Sequence, residues 1–351
     1  MPVDLPPALL WGLRRWLASP AATVTSLQRQ PFSGGLSGST LAYWRLNLRR
    51  AGIQSSMTLV HKRGAVVEGA FLRGAPQREV QVYVHLAGKA PIAMPTAVAF
   101  DLVSGDLWLL PLPPAKPTSH WLADWERADV ENTLADLARL HAAYWQASAL
   151  ALTEWPWLAH PTTLDAPDLL ADAVRSLEIL LAEAEFDETL TAPRLTRLLA
   201  LAASPAPLLE TLNQSPFTLL HGDAGFQNIA ISLDGRERVW YDWQLASAGP
   251  PALDLATYLH PWAYPDAHPP LSWDEMIGVY LAALARRGRV LDPDSFARQL
   301  DAALIWRWLC QWAPLLGLYR ARLKDDVRRR LYHAFSQLHW PALARWGDAD
   351  Q

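Results

Sequence analysis

A change of pattern near residue 115 limits the folds open to this chain. Upstream, short β-patterned runs dominate. Downstream, apolar-periodic runs of helical length take over, broken once by a β-rich island at 217–243. In the first part, 8–18 reads as an amphipathic helix, and 22–30, 40–49 and 56–62 read as strands. Apolar and polar residues alternate from Leu41 to Leu48, as in a strand with one buried face. A helix is expected at 77–88, with Pro76 near its start. Strands at 97–103 and 107–112 flank Ser104-Gly105-Asp106, a hairpin signal. Pro111, Pro113, Pro114 and Pro117 then form a connector, which places a boundary between an N-terminal lobe, 1–113, and a C-terminal lobe, 114–351. Helices are expected at 126–147, 167–186, 190–203, 252–260, 273–287, 295–318 and 323–345. The pattern describes an α+β chain with a small β-rich lobe and a larger, mainly helical one, and ligands commonly sit between such lobes.

Composition excludes several function classes. Hydrophobic residues make up 51% and charged residues 19%, ample for a buried core. Net charge is −4, with no basic stripe or Lys/Arg run, so neither nucleic acid nor a membrane surface is an expected partner. The single cysteine, Cys310, lies in an apolar run and can make neither an internal disulfide nor a cysteine zinc site. Arg14 and Arg15 interrupt the first apolar segment, unlike a signal peptide, and no run reaches the length of a membrane span. A cytoplasmic protein is expected. The 18 tryptophans are expected to fill the core and the seams between helices.

The chemistry concentrates in Phe217 to Leu259. An apolar run leads into His221-Gly222-Asp223, and Asn228 follows five residues after Asp223. Ile229 to Ser232 reads as a strand, Asp234-Gly235 as its turn, and Val239 to Tyr241 as the returning strand that ends at Asp242. The hairpin brings Asn228 and Asp242 to one mouth. Two oxygen-bearing side chains there suit Mg²⁺, a hard cation that also takes phosphate oxygens. Asp223 stands just upstream, placed to meet an incoming hydroxyl.

This spacing resembles the catalytic loop and metal-binding segment of the protein-kinase superfamily, with its H-R-D-x-x-x-x-N pattern. The chain departs from that pattern in His221-Gly222-Asp223 and in Asp242-Trp243-Gln244, which stands in place of D-F-G. The departures are similar to the aminoglycoside phosphotransferase and choline kinase branch, which phosphorylates small molecules. Asp242-Trp243-Gln244, Asp254-Leu255-Ala256 and the segment Leu137 to Trp145 also resemble ecdysteroid-kinase-like members. The resemblance spans roughly 30–345, with 217–259 its most specific part. It implies a protein-kinase-like two-lobe fold, ATP and Mg²⁺ as cofactors, and transfer of the γ-phosphoryl group to the hydroxyl of a small molecule.

The resemblance also implies roles. Asp223 is the catalytic residue, and Asn228 and Asp242 hold metal. The loop Ser33 to Thr40 looks like the phosphate-covering loop, through Gly34, Gly35, Ser37, Gly38 and Ser39. Lys62, at the end of a strand, contacts the α/β-phosphates and pairs with Glu79 on the following helix, with Arg63 and Arg78 as competing neighbours. Asp254 reads either as a helix N-cap or as a buttress of the catalytic loop, His141 as a satisfied core histidine, and His221 as a loop-orienting group. For the acceptor, two regions stand open. One is the acidic stretch Asp165, Asp168, Asp172, Glu178, Glu183, Glu185, Asp187 and Glu188, either a wall for a cationic acceptor or a solvated helix face. The other is the aromatic segment 259–273 with His260, Trp262 and Tyr264, either a pocket lining or packing. A nucleotide-binding pseudokinase is the alternative to an enzyme. Lys62, Asp223, Asn228 and Asp242 form the complete set an enzyme needs. Only eleven residues separate Asp242 from Asp254, which leaves no room for a protein kinase's long activation loop.

Overall fold

The alternation of the first hundred residues becomes a five-stranded antiparallel sheet. Strands β1 (Thr23–Phe32), β2 (Thr40–Arg50) and β3 (Ile53–Arg63) form a meander, and β4 (Ala97–Asp101) and β5 (Asp106–Leu109) complete the order β1-β2-β3-β5-β4. The structure, a computed structural model, describes residues 3–32, 39–64, 69–119, 122–183 and 189–348. On β2, Trp44, Leu46 and Leu48 point inward as the alternation requires, and they pack with Leu9 and Leu13 of helix α1 (Pro7–Trp16). A Cβ on Gly12 would lie 2.5 Å from that of Ala99, so α1 can rest on β4 only because this position has no side chain. Gly105 (φ +73°) and Asp101, whose Oδ1 accepts the Val103 amide at 2.8 Å, shape the β4–β5 turn. Helix α2 (Ala75–Leu86) lies beneath this end of the sheet, with Val80 and Tyr83 against Leu107 and Leu109.

Beyond the proline connector lie two short paired strands, β6 (Thr118–Ser119) and β7 (Leu122–Ala123), then helices α3 (Arg127–Ala143), α4 (Ala166–Ala182), α5 (Ala192–Ala203) and α6 (Ala206–Leu212). The β-rich island supplies β8 (Thr218–Leu220), β9 (Ile229–Ile231), β10 (Arg238–Trp240) and β11 (Ser247–Gly249). Helices α7 (Ala252–Leu259), α8 (Trp273–Ala285), α9 (Pro293–Arg307), α10 (Ala313–Leu316), α11 (Asp325–Ala334) and α12 (Trp340–Asp348) complete the lobe. π turns at Trp308–Trp312 and Phe335–His339 join α9 to α10 and α11 to α12, so each of the last two expected helices is one helical run with a π turn inside it. Helix α6 falls where no helix is expected from the pattern; Pro207 occupies its first turn, where a missing N–H costs nothing. No helix of the described residues is long and apolar enough to cross a membrane.

Trp108, Trp240, Trp243, Trp306 and Trp308 are fully buried, in line with a packing role, whereas Trp11 and Trp16 of α1 are exposed. The C-terminal core also contains two neutral histidines. His339 Nδ1 donates to Leu304 O (2.9 Å), and His260 Nδ1 donates to His339 Nε2 (2.8 Å). Burial pushes the His339 pKa from 6.5 down to about 4 and pushes His260 down as well, so the unfolded chain takes up protons first as pH falls. The stability contributed by keeping these rings neutral is therefore full above pH 6.5 and is lost toward pH 4, by about 3 kcal/mol from His339 alone. Denaturant melts across this window should show the decline. His339→Gln, which preserves one donor and one acceptor, should remove that part of the slope.

Candidate active site

Two strand pairs build the loop that carries Asp223 and the hairpin that carries Asn228 and Asp242. β8 pairs with β11, and β9 with β10 through the Asp234-Gly235 turn, where Gly235 has φ +72°. The Tyr241 amide donates to Asn228 O (3.0 Å), which carries the ladder one step past β10 and sets Asn228 beside the residue preceding Asp242. The same hairpin ties to the N-terminal lobe through Trp240 N donating to Ala93 O at 2.9 Å.

His221-Gly222-Asp223 leaves β8 in a turn held from behind by Asp254. Its buried carboxylate accepts the amides of His221 (2.7 Å) and Gly222 (2.8 Å) and faces His141 Nε2 (3.2 Å). His141 Nδ1 in turn meets the Tyr280 hydroxyl at 2.8 Å, so the histidine is satisfied within the core. Asp254 is not the N-cap of α7. Pro251 holds that position, and the carboxylate of Asp254, inside the first turn, is spent on the loop. Burial would raise the Asp254 pKa, but the contact with His141 and the nearby charge of Arg307 hold it below the ordinary range, so it stays ionised. Gly222 has φ +86°, and a Cβ there would lie 1.9 Å from Leu245 O. The turn therefore requires glycine. His221 Nε2 donates to Tyr241 O (3.1 Å) while Nδ1 accepts the Asp223 amide (3.3 Å). Burial lowers its pKa, and this neutral ring braces the loop against the hairpin.

Asn228 Nδ2 donates both to Asp223 O and to Asp223 Oδ2, each at 2.8 Å. Burial, and next the charge of Asp242, push the Asp223 carboxyl up to about 6, against the pull of Asn228 and Arg307. Asp242 sits at φ +64°, ψ +60°, a left-handed conformation that aspartate tolerates better than most residues and that aims its carboxylate at the other lobe. Lys62 on β3 reaches it: Nζ is 2.5 Å from Asp242 Oδ1 and 2.7 Å from Glu79 Oε2 on α2. Burial would lower the lysine pKa, but the two carboxylates outweigh it and raise it, so the ammonium is fully charged. Glu79 is pushed up by burial against the pull of Lys62. The neighbours are occupied elsewhere. Arg63 forms a two-point contact with Asp106, and Arg78 donates to Gln244 O and Arg73 O. Ser39 is buried at the entrance to β2, and Gly34, Gly35, Ser37 and Gly38 lie outside the described residues.

One strand, one helix, one loop and one hairpin thus bring Lys62, Glu79, Asp223, Asn228 and Asp242 together from positions up to 180 residues apart. The model of the phosphotransferase enzyme family matches residues 68–290. The chain belongs to this family. Among solved structures, it is similar to a putative aminoglycoside phosphotransferase from Ralstonia eutropha (14% identity, TM-score 0.59, covering 95% of this chain and 98% of that one). It is also similar to an ethanolamine kinase from Plasmodium vivax (12%, 0.58, 92% and 83%) and to the choline kinase LicA from Streptococcus pneumoniae (13%, 0.53, 95% and 97%). At these identities the likeness is one of fold, the protein-kinase-like two-lobe fold. No curated protein matches the chain.

The sequence pattern did not single out Arg307. Its guanidinium donates to Gly222 O (2.6 Å), one residue before Asp223. A single arginine in the apolar run Ile305-Trp306-Arg307-Trp308-Leu309 was the available signal. The acidic stretch is not merely a solvated face. Asp168 pairs with Arg73, Asp172 accepts the Ala70 amide (2.8 Å), and Asp165 accepts the His160 amide (2.6 Å). Glu185, Asp187 and Glu188 of that stretch lie outside the described residues. In the aromatic segment, His260 and Trp262 are packing: His260 stacks on Trp312, and Trp262 meets Trp125 and Phe226. Tyr264 is also buried, close enough to Asp223 for its charge to raise the phenol pKa after burial has done so.

Proposed function

We propose that this chain is an ATP- and Mg²⁺-dependent small-molecule kinase that transfers the γ-phosphoryl group to a hydroxyl. The observation that carries this reading is Lys62, held between Glu79 and Asp242 across the two lobes. A charged lysine fixed there serves the phosphates of a nucleotide. The donor set suits a magnesium ion. Both bonds of the Asn228 side chain use its nitrogen, and Asp242 Oδ2 has no partner among the described residues, so two hard oxygens remain at one end of the hairpin. When bound there, the ion would neutralise charge on the phosphates. Asp223 orients the acceptor hydroxyl and takes its proton as the new O–P bond forms. Asn228 fixes Asp223, and Asp254 fixes the loop that carries it. Catalysis of this kind rests on positioning and charge neutralisation. The same reading puts the lobe boundary in the proline connector after residue 113.

The test is ADP release by the purified chain across amino alcohols, aminoglycosides, sugars and hydroxy acids, with magnesium and with excess chelator. Acceptor-stimulated, magnesium-dependent release is expected. Absence of any Mg-ATP binding would overturn the reading.

A further inference from the structure

A cavity of about 100 Å³ lies beside the catalytic loop, walled by α2, the start of α4, the segment after Asp242 and the end of α9. Three arginines line it, Arg73, Arg78 and Arg307, together with Asp165 and Asp168. The two carboxylates do not satisfy the arginines. Asp168 is taken by Arg73, and Asp165 accepts a backbone amide. Arg307 donates to Gly222 O (2.6 Å) and Gln311 Oε1 (3.1 Å), and Arg78 to Gln244 O (3.1 Å) and Arg73 O (2.7 Å). All these acceptors are neutral. Among the described residues, neither Arg78 nor Arg307 forms an ion pair, and the Nε of each is buried without a hydrogen-bond partner. Burial lowers the pKa of both.

Asp165 near Arg78, and Asp254 and Asp223 near Arg307, offset part of the burial cost at a distance, but none of them contacts the guanidinium, and the planar fork of donors matches a carboxylate or phosphate oxyanion. The site therefore favours negative charge, in contrast to a pocket built for an ammonium group. Arg307, which lines the cavity, also donates to Gly222 O, one residue before Asp223 in the chain, and so links the cavity to the loop of the proton acceptor.

We propose that this cavity binds an oxyanion carried by the acceptor, through Arg307 and Arg78, and that the acceptor is an anionic hydroxyl compound. The inference rests on the kinase reading above and adds the substrate class. In the reaction, the acceptor oxygen bonds to the γ-phosphorus, the bond from that phosphorus to the β-phosphate oxygen breaks, ADP leaves, and the hydroxyl proton passes to Asp223.

The test uses four acceptors on one three-carbon frame: glycerate, glycerol 3-phosphate, glycerol and 3-amino-1,2-propanediol. Binding to the chain saturated with magnesium and a non-hydrolysable ATP analogue is measured by calorimetry, and turnover by ADP release. One or both anions should bind and react in preference to glycerol, and the cation least of all. Preference for glycerate identifies a carboxylate, and preference for glycerol 3-phosphate a phosphate. Arg307→Gln and Arg78→Gln should each weaken anion binding about 10- to 100-fold, the worth of one charge-assisted hydrogen bond, with a much smaller loss for glycerol than for the anions and nucleotide affinity unchanged. Arg307 also braces the loop, and a purely structural role would instead lower kcat for all four acceptors alike. That result overturns the proposal, as does binding of neither anion, or turnover of the cation in preference to both. In each of these cases nucleotide binding and phosphoryl transfer remain as separate observations. Failure to bind the ATP analogue would overturn the kinase reading and this inference with it.

Discussion

Asp223→Asn should lower acceptor-dependent ADP release about 10³-fold while Mg-ATP affinity changes only a few-fold. The substitution is close to isosteric. Its carbonyl oxygen can still accept from Asn228 Nδ2, which now bonds Asp223 Oδ2 at 2.8 Å, so the loop should keep its shape. The lost property is the capacity to take a proton. In the native chain that capacity is enhanced, because burial and the charge of Asp242 push the carboxyl up to about 6. Steady-state turnover with the best acceptor and calorimetric titration of Mg-ATP separate the two effects. Full retained turnover would remove Asp223 from the chemistry and leave it a structural link to Asn228.

The second large effect is expected at Asp254, which meets no substrate. Asp254→Asn replaces one of two acceptor oxygens with a donor. One oxygen now serves His221 N and His141, and the other serves Gly222 N, so the new NH₂ must face a backbone N–H or the histidine. The site is fully buried and admits no easy rearrangement. Breaking such a network costs about 4 kcal/mol. The variant should unfold at lower denaturant than the native chain. It should also lose kcat, because the amides released are those that hold the Asp223 turn. Equilibrium denaturation read beside turnover at low temperature gives both numbers. A stable Asp254→Asn with native kcat would show that the turn is held by other contacts, such as Arg307 on Gly222 O. The contrast between the variants is informative: Asp223→Asn should cost activity without stability, and Asp254→Asn should cost both.

Much of this molecule is legible in local runs of the chain. Period-2 alternation in β2 places Trp44, Leu46 and Leu48 inward, and the Asp234-Gly235 turn places the hairpin that holds Asn228 and Asp242. These are local consequences of strand pleat and turn geometry, written within a few residues. The link from Lys62 to Glu79 is legible only through resemblance to a family, because nothing local tells Lys62 from Arg63 or marks Glu79 as its partner. The fold distinguishes them by direction. Lys62 points from the sheet toward α2 and Asp242, whereas Arg63, one residue on, points to Asp106.

The cavity proposed for the acceptor is least legible. Its walls come from α2, α4, the segment after Asp242 and α9, which are separated by scores of residues, and no short motif records that they meet. The acidic stretch looks like a candidate for binding a cation because sequence counts charges without their partners. In the fold, Asp168 and Asp172 are spent on Arg73 and Ala70 N, while Arg78 and Arg307 retain their charge beside the loop. Local pattern and spacing thus set the elements and the turn chemistry, since each depends on neighbours in the chain. Which charges are left without an ion-pair contact depends on long-range packing and desolvation, and those arise only when distant segments close around the same cavity.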